Sequence, residues 1–575
     1  MKPGFRRLIA AHRRTITLLL LGALLIFLYA IVAKYNSLFA SPPVGRPSIL
    51  HLSARETSSA LWKLLLLFPA CVLIAAGLSA TGRSLRLSRI FALKALPLVL
   101  TLASMVVIAV SIILVFRATE ITDDEPTYLY QAKTYLAGRL YNPPPPVPEV
   151  FGNAFILQLP DKMVGKYSFA HPLILALGLL LGSPYVVTLL MSVLLIPLVI
   201  GIGNRLYGDR TVALLSGILL AISPFFYGVS STLLSHTTSA FFLAAFFFLT
   251  LGWLEGKRTG ILRGLAAGAA FGIALNVRSL TALAFALPLA GLVLLRMRER
   301  KVRPDRWLAG LFCGAAALGA ATLVYNVIIT GNPLTFPFIL SDPNDRPGFS
   351  TGYIQSIWQI FENPAQNLAR LNLLSFGMPA GLLFATLMLF RTDLSAGDLL
   401  CFLTLAAIGL VYLAFWFPGV GDVGPVYYYE MMIPLTLLTA RGILWLREEV
   451  ASRFPTHRSF VSWFCLMSFL CSFWIVYPEQ TLYLSNLTRR VRIPYEEIRS
   501  RNIHHAVVFL HNIPPRGWVF GYRNNDPDFT NDVILCKASR IHAAEVMKAF
   551  PGRDYYLLAF PEGVGAARLV KIGSP

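Results

Sequence analysis

The chain has 575 residues, 56% of them hydrophobic and only 14% charged, with a mean hydropathy of +0.63. Such a composition excludes an ordinary soluble protein and points to an all-α polytopic membrane protein, because each crossing needs about 20 apolar residues in helical form. The net charge of +21 would suit a nucleic-acid partner, but the basic residues lie mostly in short loops between apolar runs, where they report topology instead.

In chain order, about thirteen apolar stretches are long enough to count as spans: 15–33, 61–80, 95–116, 184–202, 212–229, 233–254, 262–277, 280–295, 307–329, 373–390, 399–417, 429–445 and 460–477. The 262–277 stretch is the weakest, being short and rich in Gly and Ala. Small residues at Phe39-Ala40-Ser41 follow the first stretch as in a signal peptide, but its length favours a retained helix. Residues 1–94 read as N-terminal membrane helices, 95–477 as the main membrane domain, and 478–575 as a small separate domain.

The basic residues fall into alternating groups: Lys2, Arg6, Arg7, Arg13 and Arg14; Arg83, Arg86, Arg89 and Lys94; Lys257, Arg258 and Arg263; then Arg296 through Arg306. The positive-inside rule puts these, and the N-terminus, in the cytoplasm. The 117–170 loop, the 331–370 loop and the tail are then exported, as expected for a bacterial inner-membrane protein. Of the six cysteines only Cys536 lies in an exported segment, so no disulfide framework and no Cys-x-x-Cys metal site are expected there.

Three regions stand outside the bundle. In the 117–170 loop, residues 126–138 read as a short helix with Pro126 in its first turn, and Pro143-Pro144-Pro145-Pro146 stiffens the chain beyond that helix. The apolar stretch 171–181 is too short to span. The tail carries strand-like runs at 506–510, 518–522, 533–537 and 555–560, which suggest a small α+β domain.

Asp123, Asp124 and Glu125 follow the third apolar stretch and form the densest group of carboxylates near the exported face. Local sequence accommodates helix capping as readily as catalysis. A carboxylate at a membrane surface, however, stays ionised and reaches both a lipid-linked reactant and a water-side acceptor. Transfer of a sugar from a polyprenyl phosphate needs a base for the acceptor hydroxyl and cations for the leaving phosphate. Candidates for the second task are Lys166, His171 and Arg278, with Tyr128 at headgroup level. The alternative for Arg278 is an arginine snorkelling to lipid headgroups, and His236 reads more readily as a packed polar residue.

The run Asp124-Glu125-Pro126-Thr127-Tyr128, with Gln131-Ala132-Lys133 and Gly138-Arg139-Leu140-Tyr141, resembles the loop opening of GT-C superfamily glycosyltransferases. The similarity is to the bacterial branch related to protein O-mannosyltransferases, aminoarabinose lipid A transferases and rhizobial core galacturonosyltransferases. Further matches come in order: Lys166-Tyr167 to His171-Pro172-Leu173, Arg205-Leu206-Tyr207-Gly208, Ser223-Pro224-Phe225-Phe226, Leu234-Ser235-His236-Thr237 and the stretch ending at Arg278. The resemblance covers residues 121–295 well. It implies an inverting transferase using a polyprenyl-phosphate sugar, with Asp124 as base and Lys166 and Arg278 at the donor phosphate. The chain departs from relatives at Tyr167-Ser168-Phe169-Ala170, where Tyr-Pro-Pro-Gly is frequent, and at Val277-Arg278-Ser279, where Thr-Arg-Pro is.

The rival readings are a transporter or flippase and a non-catalytic protein that binds a lipid-linked glycan. No convincing acid lies mid-span to carry a coupling ion, and no Gly-rich nucleotide loop stands in a strand-to-helix context. The expected partners are the bilayer, a polyprenyl-phosphate-linked sugar and a glycan, lipid or protein acceptor. No cofactor is expected, and metal-free catalysis is favoured over a divalent cation held by Asp123, Asp124 and Glu125, since three adjacent carboxylates cannot converge unaided.

Overall fold

The computed structural model describes residues 3–38, 61–85, 91–152, 155–256, 260–299, 304–343, 359–378, 380–413, 415, 417, 419–511, 525–560 and 567–572. Among them, nine helices are long and apolar enough to cross a membrane: Arg14–Val32, Lys63–Ala80, Leu96–Val115, Pro184–Tyr207, Ser235–Leu254, Ser279–Arg298, Arg306–Thr330, Ala396–Leu413 and Pro455–Ser500. The chain is a helical polytopic membrane protein with one small mixed sheet near its C-terminus.

The count differs from thirteen for physical reasons. The 212–229 stretch is a bent pair, Arg210–Ala221 and Pro224–Ser230, at 59°. Pro224 has no N–H to continue the first piece, and Ser223 caps the second by accepting from the Phe226 N–H at 3.0 Å. Helix Ile261–Val277 has only 17 residues and lies flush on Arg306–Thr330. A Cβ at Gly264 would sit 1.9 Å from the Trp307 carbonyl oxygen, and one at Gly314 2.5 Å from that of Leu265. Small residues let backbones touch where lipid tails remove the usual hydrophobic drive for association. The 373–390 stretch divides between Gln359–Leu374 and Leu383–Leu387.

The 429–445 stretch becomes Met432–Arg453, whose Arg441 pairs with the fully buried Asp398, Nε to Oδ1 at 3.2 Å. Asp398, in the first turn of Ala396–Leu413, and Glu430, in the Val426–Met431 turn before Met432–Arg453, are both fully buried at helix ends, not mid-span. The N-terminal helix packs on Phe68–Ala80 through Gly22 against Ile74 and Gly77 against Leu19. The Phe39-Ala40-Ser41 stretch lies outside the described residues.

The chain does not leave its helix at Pro478, where the tail was expected to begin. The helix runs on through Tyr477–Ser500, and Pro478 follows closely on the π-helical turn Ser472–Val476, a helix irregularity of the kind that accompanies a proline. The tail sheet then orders its strands as Val533–Lys537, Ala506–His511, Asp554–Ala559 and Arg568–Ile572. The first three run parallel and the last antiparallel. Arg568–Ile572 was not anticipated, and the run at 518–522 lies outside the described residues.

One face of this sheet shares a core with the 117–170 segment. Val147, Val150 and Phe151 pack with Val507, Phe509, Ile534 and Cys536, while Lys133 pairs with Asp526 at 2.8 Å and Arg139 with Asp528 at 2.7 Å. The tail is therefore built around the loop that carries Asp124.

That loop is seated at both ends. Arg117 and Ala118 adopt left-handed backbone, φ +51° and +46°, a strain of about 1–2 kcal/mol per residue. Arg492 offsets it by donating to the Arg117 carbonyl at 3.2 Å and to Thr119 Oγ1 at 3.0 Å. Glu125 holds the other end. One oxygen accepts from Ile121 N and Thr122 N at 3.1 Å and Thr122 Oγ1 at 3.0 Å; the other accepts from Leu233 N at 2.8 Å.

Glu125 is fully buried, and its role is therefore corrected: it is a brace between the loop and the Ser235–Leu254 helix, with both oxygens committed, not a catalytic carboxylate. The Asp123 side chain makes no cap hydrogen bond to the helix it precedes.

Truncating Phe151, which packs on Phe529 and Phe550, should cost about 3–5 kcal/mol of docking stability. In Phe151→Ala, limited proteolysis should cut the tail faster while the membrane bundle melts as in the parent.

Burial pushes the Glu125 carboxyl from 4.5 up to about 7, against the pull of the Leu233, Ile121 and Thr122 donors. A native pKa above the unfolded one means that the folded chain keeps a proton that the unfolded chain releases. The contribution is full below the ordinary carboxylate range and is lost as pH rises through about 7. Melting curves should therefore lose stability as pH rises from the ordinary 4.5 to about 7, a slope absent in Glu125→Gln. That variant should be about 1–3 kcal/mol less stable at low pH, because its amide sets a donor against a donor.

Candidate active site

Helix Asp124–Leu136 begins at the loop's mouth, so its first residues face the space between the helix ends. Asp124 Oδ1 accepts a hydrogen bond from the Tyr167 hydroxyl. Gln131, two turns on, donates to the Tyr167 carbonyl at 2.8 Å and to the Tyr325 hydroxyl at 3.2 Å. These bonds hold the helix against the segment that carries Lys166.

The hairpin of Ile156–Gln158 and Met163–Gly165 delivers that segment. Gly165 is needed there, since a Cβ would lie 2.6 Å from Gln131 Oε1. Lys166 comes next, its Nζ 4.0 Å from the centre of the Phe155 ring, with only 8% of the residue exposed. The ring shields the ammonium from water on one side and leaves the cavity as its outlet.

Arg278 occupies the break between Ile261–Val277 and Ser279–Arg298, in extended backbone. Its Nη1 donates to Ser235 Oγ at 3.3 Å, its guanidinium carbon lies 4.9 Å from the Tyr427 ring centre, and Nε has no hydrogen-bond partner. Ser235 Oγ also accepts from the Tyr128 hydroxyl at 3.1 Å, which joins Arg278 to the Asp124 helix. Asn276, just before Arg278, accepts from Ala170 N at 2.9 Å and donates to Thr322 Oγ1 at 2.7 Å.

These groups line one cavity of ≈ 690 Å³: Asp123, Asp124, Tyr128, Lys166, His236 and Arg278 all reach its wall. His171 does not, which corrects its place among the phosphate-binding candidates. Both its nitrogens are engaged, Nδ1 with Thr238 Oγ1 and Nε2 with the Leu233 carbonyl, each at 2.9 Å. Burial, with Arg278 and His236 nearby, brings its pKa down to about 4. A neutral His171 therefore supports the Tyr128 ring, whose centre is 4.6 Å away.

The sequence reading missed several wall residues. Tyr412 and Tyr427 stack at 4.7 Å and close the floor beside Arg278, while Phe336, Phe338, Phe415 and Phe417 make an apolar flank and Asp342 and Asp422 add carboxylates. The run Tyr427-Tyr428-Tyr429-Glu430 at the head of an apolar stretch was a signal for the first group. Asp422 lies in the small hairpin between Val420–Gly421 and Gly424–Pro425, where only the glycines mark a turn.

The site thus gathers a carboxylate, an ammonium, a guanidinium whose Nε has no hydrogen-bond partner, and aromatic and apolar side chains around one cavity. It is suited to hold an anion with an apolar attachment while a proton is removed close by.

A family model described as dolichyl-phosphate-mannose-protein mannosyltransferase matches residues 168–325. That stretch includes His171, His236 and Arg278 and stops short of Asp124 and Lys166. No curated protein matches the sequence. Among solved structures, ArnT from Cupriavidus metallidurans bound to undecaprenyl phosphate aligns at 12% identity and TM-score 0.52, covering 82% of this chain and 94% of that one. ArnT from the same organism in the apo state aligns at 11% identity and TM-score 0.48, covering 79% and 92%. With its helical bundle, its loop helix at one end and this match over most of its length, the chain is a membrane protein of the GT-C fold.

Proposed function

We propose that this protein transfers a sugar from a polyprenyl-phosphate donor to an acceptor on the exported face of the membrane, with inversion at the anomeric carbon. The observation that carries the reading is the single cavity in which Asp124 meets Arg278 and Lys166. The undecaprenyl phosphate bound by ArnT supports a lipid-linked donor, and the charge pattern of the loops supports the orientation, with the N-terminus cytoplasmic and the C-terminal domain exported. The membrane is then a bacterial inner membrane.

Arg278 and Lys166 bind the donor phosphate. The guanidinium has an Nε–H without a hydrogen-bond partner, the Lys166 ammonium lines the same cavity, and charge-assisted bonds to phosphate are short and strong. Asp124 takes the proton of the acceptor hydroxyl as the hydroxyl attacks the anomeric carbon from the face opposite the phosphate. The C–O bond to phosphate breaks with its electron pair on the phosphate oxygen, where the two cations stabilise the added charge. Tyr167, donating to one oxygen of Asp124, fixes the carboxylate plane. Metal-free catalysis is part of the proposal.

Asp124→Asn should lower turnover about 10²- to 10⁴-fold while the purified protein melts normally. Asp123→Asn should cost far less, because neighbouring residues of a helix point in different directions. Sugar transfer by Asp124→Asn at the parental rate would remove the base from Asp124 and move the binding-protein or transporter readings ahead.

Arg278→Ala and Lys166→Ala should each weaken polyprenyl-phosphate binding by about 1.5–3 kcal/mol, with Arg278→Lys restoring only part. Calorimetry in detergent micelles measures this, and unchanged affinity in both alanine variants would return the two cations to a purely structural role.

A further inference from the structure

We infer that Glu430, behind the cavity wall, is a positioning residue that holds His236 as a cation against the donor phosphate. This rests on the donor site proposed above and adds a third positive group to it.

Glu430 is 0% exposed and does not line the cavity. It sits in the Val426–Met431 turn just after the small hairpin. Its carboxylate lies 3.5 Å from Nδ1 of His236, and its Oε1 has no hydrogen-bond partner. A carboxylate removed from water is retained only where a counter-charge compensates it. His236 is 2% exposed and does line the cavity. With Nδ1 turned to Glu430, Nε2 is the nitrogen left for the cavity side. A carboxylate behind an imidazole fixes both ring orientation and tautomer.

The charged groups that act on His236 come from four elements. Glu430 lies 3.5 Å from Nδ1, Asp124 and Arg278 line the same cavity, and the Tyr427 and Tyr429 rings pack on the imidazole, while His171 is engaged at both nitrogens. In the empty site burial and the neighbouring Arg278 work against a proton on the ring. The phosphate of the donor adds a negative charge on the cavity side and tips the balance. His236 takes up one proton from solvent as the phosphate binds, and its Nε2–H donates to a phosphate oxygen. During transfer the C–O bond breaks with its pair on that phosphate and the acceptor's proton goes to Asp124. The imidazolium remains as donor to the more negative product.

The test uses the full-length protein in detergent, with undecaprenyl phosphate as the probe and affinity measured across pH. The phosphate's own titration is common to every variant, so differences between variants isolate the protein. In Glu430→Gln, affinity near neutral pH should fall roughly tenfold, and binding should fade at a lower pH than in the parent because the imidazolium has lost its counter-charge. His236→Asn should lose that protein-linked pH dependence, and Glu430→Gln placed on top of it should add little.

Glu430→Gln binding like the parent at every pH would overturn the inference. If Glu430→Gln does not fold, His236→Asn decides alone, and parental pH dependence in it overturns the inference as well. Arg278→Ala is the control for the underlying reading. Parental affinity in Arg278→Ala would sink the donor site itself, whereas a weakened Arg278→Ala beside an unchanged Glu430→Gln would sink only the role given to Glu430.

Discussion

A guanidinium held at the break between two membrane helices is the constraint on which this end of the molecule depends. Arg278 cannot be moved into the apolar bundle without a cost of several kcal/mol, and it does not leave for bulk water. The surrounding residues answer to it: Ser235 accepts its N–H, Tyr427 offers a ring face, and Glu430 contributes negative charge from behind. The helix break is what lets its side chain reach the cavity, and the glycine-packed pair of Ile261–Val277 and Arg306–Thr330 fixes where the break falls. Because Ser235 also holds Tyr128, the position of Arg278 is transmitted to the helix that bears Asp124. A cation placed so, with its Nε lacking a hydrogen-bond partner, suits the anion-binding role proposed for it.

The sequence disclosed the membrane class, the ordered motifs and three of the cavity's central side chains, because these are matters of composition and local pattern. Asp124, Lys166 and Arg278 each lie at the edge of an apolar run or in a loop between runs, where a charge is conspicuous. The rest stayed hidden because tertiary packing set it. Glu125 and Asp124 are adjacent in sequence, yet one turns inward to Leu233 N and the other outward to the cavity, and no periodicity distinguishes them. His171 looked like a ligand because its partners, Thr238 Oγ1 and the Leu233 carbonyl, lie more than sixty residues away. Asp422, Tyr427 and Glu430 enter from a distant hairpin and turn for the same reason. The span count was too high because hydropathy sees neither a proline-induced bend at Pro224 nor a helix whose glycines press it against a neighbour.

Asp124 and Lys166 belong to one long segment whose middle makes its apolar contacts with the tail. Val147, Val150 and Phe151 would be exposed without the sheet, and the two ion pairs to Asp526 and Asp528 lie at the far end of the Asp124 helix. Exposed pairs of this kind contribute less than about 1 kcal/mol each, so the apolar core carries the docking and the ion pairs set its register. The tail is thus a second support for the site's geometry, opposite the Glu125 brace.

Between these supports the Tyr167 hydroxyl reaches Asp124 Oδ1, and Gln131 holds the Tyr167 backbone. The residue next to the ammonium proposed to bind phosphate therefore touches the carboxylate proposed as base. One oxygen of Asp124 is committed to that contact, so an acceptor hydroxyl has to meet the other. On this geometry the acceptor enters along the side of the cavity away from Tyr167, while the donor lies against Lys166 and Arg278. In the proposed reaction such a separation would set nucleophile and leaving group on opposite sides of the sugar ring, the arrangement that in-line displacement with inversion requires.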